Sequence, residues 1–211
     1  MITDAGSLCP EFNPAADGVE FFVHSPFAEH CDGQLIVRHR SALFMHATFS
    51  VAGRETKLIL SADVDHATID DIVRVTRFHK NEARLEWDIN NIPHHSSYTS
   101  LADDKGKDQT EPSDRLKWLY EDQARKGAIA VSTSCPIPTE NTLQPPHRQA
   151  ANYYKHAVGE KDGKFVVSME HPTKSKPKPL ELEIDGNGFT VLKAAGGAAT
   201  VLGNSAPRAG L

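Results

Sequence analysis

The chain has 211 residues, of which 39% are hydrophobic and 24% charged, so it is long enough for one domain with a substantial core and is neither a membrane protein nor disordered throughout. The net charge of −5 argues against a broad surface that binds nucleic acid, but it does not exclude a local basic groove. Cys9, Cys31 and Cys135 form no Cys-x-x-Cys pair, which argues against a disulfide framework or a structural zinc. The absence of a signal-like start and of 18 consecutive apolar residues predicts a cytoplasmic protein with no membrane attachment.

The amino-terminal quarter of the chain predicts a loop followed by strands. Residues 1–17 contain two prolines and a glycine but no sustained apolar pattern, which predicts a loop. Strands are predicted over residues 18–23, 34–39 and 43–50. Gly53 supplies a turn, so the third of these strands is expected to form a hairpin with residues 57–60.

Two histidines in this region are expected to lie outside any site. His24 stands beside Pro26 and is predicted to be a solvated loop residue. His46 lies within an alternating apolar pattern, so it is expected to be packed or solvent-facing rather than a ligand.

The central stretch predicts a strand, a helix and a second strand. Residues 58–60 are an apolar run bounded by polar residues, which is typical of a buried strand. Residues 67–78 carry apolar side chains at helical spacing, and residues 85–89 alternate apolar and acidic side chains as a strand does. Polar side chains that follow such strands lie at the edge of a sheet, where they can converge.

Asp63 follows the first of these strands, and the pair His94 and His95 follows the second. A carboxylate and a neutral imidazole are common ligands of a catalytic divalent metal, and an aspartate can bridge two ions. Eleven histidines scattered at random would give an adjacent pair roughly two times in five, so the pair alone is a weak motif. The pattern therefore leaves two alternatives, a metal site or surface histidines beside a helix-capping aspartate.

The chain beyond the histidine pair predicts a long loop and two further helices. Residues 98–113 are polar and form either a lid or binding loop or a floppy insertion. Ser113 is a good N-cap for a helix that runs to about residue 126, and residues 128–132 predict a buried strand. A proline-rich loop then leads to a helix over residues 148–158.

The carboxy-terminal region predicts a small β-appendage over residues 159–195. Alternating patterns predict three strands, at residues 165–169, 180–184 and 189–192. The turn Asp185-Gly-Asn-Gly188 is a strong hairpin signal between the second and third strands. The Gly- and Ala-rich tail, residues 196–211, is expected to be disordered.

The stretch with Asp63 and the histidine pair resembles the second half of a metallo-β-lactamase-fold hydrolase, most closely the branch found in bacterial DNA-uptake (competence) proteins. In that branch a strand ends in a Leu-Leu-Thr-Gly-Asp-like motif, and a later strand runs into Gly-His-His-Gly-Ser. Here Leu-Ser-Ala-Asp63 and Pro-His94-His95-Ser-Ser stand in those places and in that order.

Upstream segments extend the likeness, which covers residues 18–158. Residues 18–26 resemble the family's strand that ends in a proline-rich turn, and residues 40–45 resemble its Asn-Ser-hydrophobic strand. Pro146-His147 resembles the end of a Gly-His-Pro-His-like turn before a helix, although prolines that shape a loop and start a helix would explain the same composition.

The chain also departs from the family pattern. Ala62 replaces the glycine before the aspartate, and Ser96 replaces the glycine after the histidine pair. The His-x-His-x-Asp-His motif, which supplies most metal ligands in the first half of these enzymes, does not occur in the sequence. The resemblance therefore implies a carboxy-terminal half, a truncated product or a degenerate relative.

The resemblance implies an α/β fold (α+β) that forms half of an αββα sandwich, a mixed sheet with flanking helices, to which the predicted carboxy-terminal β-hairpin is appended. It implies a divalent metal, zinc or manganese, with Asp63 bridging two ions and Asp63 and His94 as the catalytic residues. His94 and its neighbour His95 are the predicted imidazole ligands. Three further residues are expected to line the pocket: His147, Asp65 and Ser96.

Two functions follow from these expectations. The first is a hydrolase in which metal-activated water attacks an ester or a phosphodiester, with a missing amino-terminal half or a second chain completing the site. The second is a non-catalytic fragment or partner-binding module of the same fold, because two or three ligands rarely hold a reactive dimetal centre. Nucleic acid as a partner has no support from the acidic charge of the chain.

Overall fold

A seven-stranded mixed sheet forms the centre of the molecule. The computed structural model describes residues 3–27, 39 and 41–192. The strands follow one another across the sheet in chain order: β1 (Ser7–Leu8), β2 (Val19–Ser25), β3 (Phe44–Val51), β4 (Arg54–Ser61), β5 (Trp87–Asn91), β6 (Ala124–Ser132) and β7 (Lys164–Val167). The pairs from β1 to β4 are antiparallel, and those from β4 to β7 are parallel. The mixed α/β class is therefore confirmed.

The predicted hairpin joins β3 to β4. Its register runs from Phe44 opposite Ser61 to Val51 opposite Arg54. The two-residue loop has Ala52 at φ 50° and Gly53 at φ 79°, and positive φ at both positions is typical of the tight turns that match the twist of paired strands.

Helices connect the parallel strands. Three connections carry them: α2 (His66–Phe78) between β4 and β5, α3 (Asp114–Lys117) with the π-helical turn Trp118–Asp122 between β5 and β6, and α4 (Arg148–Gly159) between β6 and β7. A short helix α1 (Pro14–Asp17) precedes β2. Four 3-10 turns complete the described helical structure: Glu82–Arg84, Pro93–His95, Tyr98–Ser100 and Ser168–Glu170.

The main core lies between one face of the sheet and the helices. Phe44 and Ile59 from the sheet, with Ile69 and Ile72 from α2, are fully buried in it. Trp87 is also buried there, and its indole N–H donates to the Leu119 carbonyl at 3.0 Å, which satisfies its polar atom.

The opposite face of the sheet meets a two-stranded hairpin. Its strands are β8 (Leu182–Asp185) and β9 (Gly188–Val191), as the turn signal predicts. Ile129 and Val131 of β6 pack against hairpin residues such as Phe189. The hairpin thus covers part of the sheet face that the helices leave open.

Several predicted boundaries differ from the structure. The helix predicted to reach residue 126 ends at Asp122, because Ala124 already pairs with Trp87 of the sheet. Residues 165–167, predicted within the appendage, lie in β7 and pair with β6 as the last strand of the main sheet. Residues 1–17 include β1 and α1 rather than a loop alone. Of the strand predicted at residues 34–39, residues 34–38 lie outside the described residues, as does the tail 196–211.

His24 and His46 are buried beside each other in the sheet, so the prediction of a solvated His24 is wrong. β2 continues to Ser25, which carries His24 into the core at 4% exposure. Its Nε2–H donates to the Arg84 carbonyl at 3.0 Å, and that of His46 donates to the Glu86 carbonyl at 3.0 Å. Burial lowers the pKa of His24 to about 4 and the pKa of His46 to about 3, so both rings are neutral near pH 7.

Within residues 3–27, 39 and 41–192, no helix has the length and apolar character needed to cross a membrane.

Candidate functional site

Three loops meet at the carboxyl ends of the parallel strands β4, β5 and β6. Asp63 follows β4, His95 follows β5, and Thr133 follows β6 directly. Because the three strands are neighbours and run in the same direction, their carboxyl ends share one edge of the sheet. Crevices at this edge are where open α/β sheets usually bind ligands.

His95 connects the other two loops. Its Nδ1 lies 2.8 Å from the Thr133 carbonyl oxygen, and its Nε2 lies 3.6 Å from Oδ1 of Asp63. A carbonyl oxygen only accepts hydrogen bonds, so Nδ1 carries the proton and the neutral ring keeps a lone pair on Nε2. The side chains of His95 and Asp63 are 53% and 36% exposed, so both are open to solvent. Nε2 of His95 therefore faces a carboxylate at an accessible position.

The backbone at the histidine pair is strained. His94, His95 and Ser96 have φ values of 48°, 53° and 65°, three successive left-handed residues without a glycine. Each such residue costs roughly 1–2 kcal/mol. Ser96 thus adopts, without a glycine, the conformation that glycine adopts most easily.

Hydrogen bonds hold this turn from both sides. The His94 amide donates to the Ala62 carbonyl at 3.3 Å, and the Ser97 amide donates to the His94 carbonyl at 2.9 Å. The His147 amide donates to the Ser96 carbonyl at 3.0 Å. Strain that surrounding contacts maintain is characteristic of functional sites, which makes this turn a candidate for function.

His94 faces a different neighbour from His95. Its ring lies against that of His39, with centroids 4.6 Å apart, and its Nδ1 is 3.4 Å from Oγ1 of Thr99. The rings of His94 and His95 are separated by 6.5 Å between centroids. The structure thus brings Asp63 together with His95, whereas His94 belongs to a neighbouring cluster.

His147 is buried behind the turn, at 2% exposure, rather than at the accessible edge. Its Nδ1 accepts the Tyr98 amide at 3.3 Å, and the two rings meet edge to face at 4.9 Å. Burial, and then the positive charge of Lys105, lowers the pKa of His147. The backbone amide and the neutral ring of His147 therefore hold the backbone of Ser96 and Tyr98 from the buried side of the turn.

The two remaining predicted pocket residues have structural roles. Asp65 is the N-cap of α2, and its Oδ1 accepts the Thr68 amide at 2.8 Å. The Ser96 side chain is fully buried, and its hydroxyl has no hydrogen-bond partner in the described part of the chain. The capping alternative for an aspartate in this stretch therefore applies to Asp65 and not to Asp63.

The loop of residues 98–113 is anchored to α4, which argues against a floppy insertion. Gln149 is buried, and its amide donates to the Lys107 carbonyl at 3.2 Å and to Oδ1 of Asn141 at 2.5 Å. Asn152 donates to the Asp108 carbonyl at 2.7 Å. Gln149 thereby joins this loop to the loop that precedes His147.

The described residues bring two candidate ligand side chains together, not a complete set. Among residues 3–27, 39 and 41–192, no group of three His, Cys, Asp or Glu side chains is arranged to hold a metal ion. Thr133 is a contributor that the sequence analysis missed. Its carbonyl acts rather than its side chain, so residue type carried no signal for it.

The comparisons with known proteins found no matching family model, no matching curated protein and no matching solved structure.

Proposed function

We propose that Asp63 and His95 form part of the metal site of a hydrolase of the metallo-β-lactamase superfamily. The observation that carries this proposal is the contact of 3.6 Å between Nε2 of His95 and Oδ1 of Asp63, with Nδ1 of the same ring fixed by a carbonyl. The substrate class is an ester or a phosphodiester. The sheet would be one half of an αββα sandwich, which agrees with helices packed on a single face.

The two side chains suit a divalent ion. Imidazole nitrogen and carboxylate oxygen bind zinc at about 2.0–2.2 Å, so two such atoms on one tetrahedral ion lie roughly 3.3 Å apart. The separation of 3.6 Å needs only a small side-chain adjustment to reach that value. Metal-binding histidines usually donate their other ring N–H to a carbonyl or carboxylate, as His95 does to Thr133.

Three residues have separate tasks in this proposal. The Thr133 carbonyl selects the tautomer of His95 and fixes the orientation of its ring. Asp63 supplies negative charge at an accessible edge of the sheet, and the left-handed turn aims His95 towards it. Zinc or manganese, when bound, supplies the Lewis acidity that polarises the ester or phosphodiester bond.

A complete site needs further ligands. Since the described residues offer two converging side chains, we propose that the others come from a second chain or from an amino-terminal half of the fold. Substrate would then bind between the two parts. The acidic charge of this chain gives no separate support for a nucleic-acid substrate.

The same observation favours a second candidate function. Two ligands rarely hold a reactive metal centre, and Asp63 and His95 can also form a plain exposed ion pair of little energetic value. On that alternative the chain is a non-catalytic binding module that retains the fold. Metal binding by the isolated chain separates the two candidates.

The test measures zinc and manganese binding to the 211-residue chain by isothermal titration, beside Asp63→Ala and His95→Ala. His156→Ala, an exposed histidine on α4, is the matched control. One saturable site that both test variants abolish and the control keeps would support the hydrolase and justify assays with phosphodiester and ester substrates. No saturable binding in any protein would overturn a metal site carried by this chain alone and would favour the non-catalytic module.

A further inference from the structure

A second concave site lies at the opposite end of β4 from Asp63. Arg54 begins β4 and Asp63 follows its end, and an eight-residue strand spans about 23 Å. Here a cleft of about 450 Å³ opens between the main sheet and the β8–β9 hairpin. Its lining includes Arg54, Lys126, Lys164, Ile129, Phe189 and Val191. The volume is within the range of small-molecule sites.

The rim of this cleft is positively charged. Arg54 and Lys164 make no ion pair or side-chain hydrogen bond within the part of the chain that the structure describes. Lys126 lies 3.4 Å from Asp162, but the side chains are 85% and 76% exposed, so the pair is weak. Three cations thus border one cleft without strong internal partners.

The one carboxylate among the described lining residues is already engaged elsewhere. Oδ2 of Asp88 accepts the Lys57 amide at 2.8 Å and lies 3.3 Å from Nη1 of Arg125. Asp88 thereby belongs to a charge-balanced cluster with Glu86, Arg125 and Lys57, and it does not pair with the cations of the rim. The cleft therefore retains a net positive charge that a ligand can satisfy.

The hairpin positions Arg54 without a counter-ion. A Cβ added at Gly188 would lie 3.1–3.2 Å from guanidinium atoms of Arg54, so the group rests directly on the hairpin backbone. The turn itself is fixed by the Asn187 amide, which donates to Oδ1 of Asp185 at 2.7 Å. A guanidinium held in this way keeps its donors for two-point binding of an anion such as a carboxylate or a phosphate.

The interior of the cleft is apolar. Ile129 from the sheet is buried, and Phe189 and Val191 from β9 are half-buried beside it. An inorganic anion would leave these side chains without contacts. A ligand with an apolar body and an anionic group would satisfy both the interior and the rim.

We propose that this cleft binds a small organic anion, a carboxylate or phosphate monoester carried on an apolar group of about the size of one ring. The anionic group contacts Arg54, with Lys164 and Lys126 adding to the positive field from across the cleft, and the apolar group packs on Phe189 and Ile129. The site is independent of the metal proposed at Asp63.

Two aromatic anions, phenyl phosphate and benzoate, test this proposal on the full chain by titration calorimetry. Inorganic phosphate and benzyl alcohol each carry only one of the two required features. We expect saturable one-to-one binding of at least one aromatic anion, with higher affinity than inorganic phosphate or benzyl alcohol. In NMR spectra the amide resonances of Gly127 and Gly188 should shift when it binds. Which aromatic anion binds more tightly decides between a phosphate and a carboxylate ligand.

Arg54→Gln should weaken that binding by about tenfold, the loss of one charged hydrogen-bond partner, and Lys164→Gln, which removes one charge across the cleft, should weaken it by a smaller factor. Arg74→Gln, which removes a cation paired with Asp71 on α2, is the matched control and should leave it unchanged. No saturable binding of either aromatic anion up to about 10 mM would overturn the proposal. Equal weakening in Arg74→Gln would overturn it too, because it would indicate attraction to net charge alone.

Discussion

Nδ1 of His95 donates to the carbonyl of Thr133 at 2.8 Å, so the loop after β5 is bound to the loop after β6 through one imidazole. The same ring directs Nε2 at Asp63, which follows β4. One side chain therefore joins the ends of three neighbouring parallel strands. This arrangement gives the two adjacent histidines unequal roles.

If zinc binds at the proposed site, His95→Ala should reduce the zinc affinity of the chain far more than His94→Ala. The reason is that His95 faces Asp63, whereas His94 packs against His39 and Thr99. Loss of a direct ligand should weaken binding at least about 100-fold, and the neighbouring change by about tenfold or less. Titration calorimetry of the two variants measures the difference, and a larger effect of His94→Ala would contradict the assignment.

Ser96→Gly should stabilise the protein. Ser96 has φ 65° and a buried hydroxyl without a hydrogen-bond partner among the described residues, so glycine relieves backbone strain and removes an unsatisfied polar group. We expect the free energy of unfolding to rise by about 1 kcal/mol in urea titrations.

Ser97→Gly is the matched control for this change. Ser97 has φ −75°, and its hydroxyl accepts the Thr99 amide at 3.3 Å. Glycine there removes the N-cap of the 3-10 turn Tyr98–Ser100 and raises the conformational entropy of the unfolded chain. The free energy of unfolding should fall by about 1 kcal/mol. If both substitutions destabilise the protein equally, the left-handed turn at Ser96 is not strained.

The convergence of Asp63 with the histidine pair could be predicted, because ligands after neighbouring parallel strands share an edge. The pairing of Asp63 with His95 rather than His94 could not be predicted, because it depends on a left-handed turn that contains no glycine. Thr133 acts through its backbone, which leaves no trace in residue type. Residues 165–167 alternate in the same way whether they join the main sheet or the hairpin, so local pattern could not assign β7.

Gln149→Ala should loosen two loops together. The buried amide donates to Lys107 and Asn141, one in each loop, so its loss leaves their oxygens unpaired. We expect a loss of about 1–3 kcal/mol in the free energy of unfolding and faster proteolytic cleavage within residues 98–113. Lys155→Ala, an exposed site on the same helix, should change neither. Unchanged cleavage in Gln149→Ala would show that the loop is held by other contacts.

The stability of the protein should fall as the pH decreases from 6.5 towards 5, because His24 and His46 resist protonation in the folded state. Their folded pKa values of about 4 and about 3 lie below the ordinary value of 6.5, so the unfolded chain takes up protons that the folded chain does not. Each histidine should then reduce the free energy of unfolding by about 1.4 kcal/mol per pH unit once the unfolded form is fully protonated. Carboxylates of the unfolded chain titrate mainly below pH 5, so this window isolates the histidines.

Urea titrations of His46→Gln should show a shallower slope of unfolding free energy against pH, by the contribution of one histidine. His79→Gln, which changes an exposed residue after α2, should keep the wild-type slope. A wild-type slope in His46→Gln would mean that the ring takes up its proton in the folded protein.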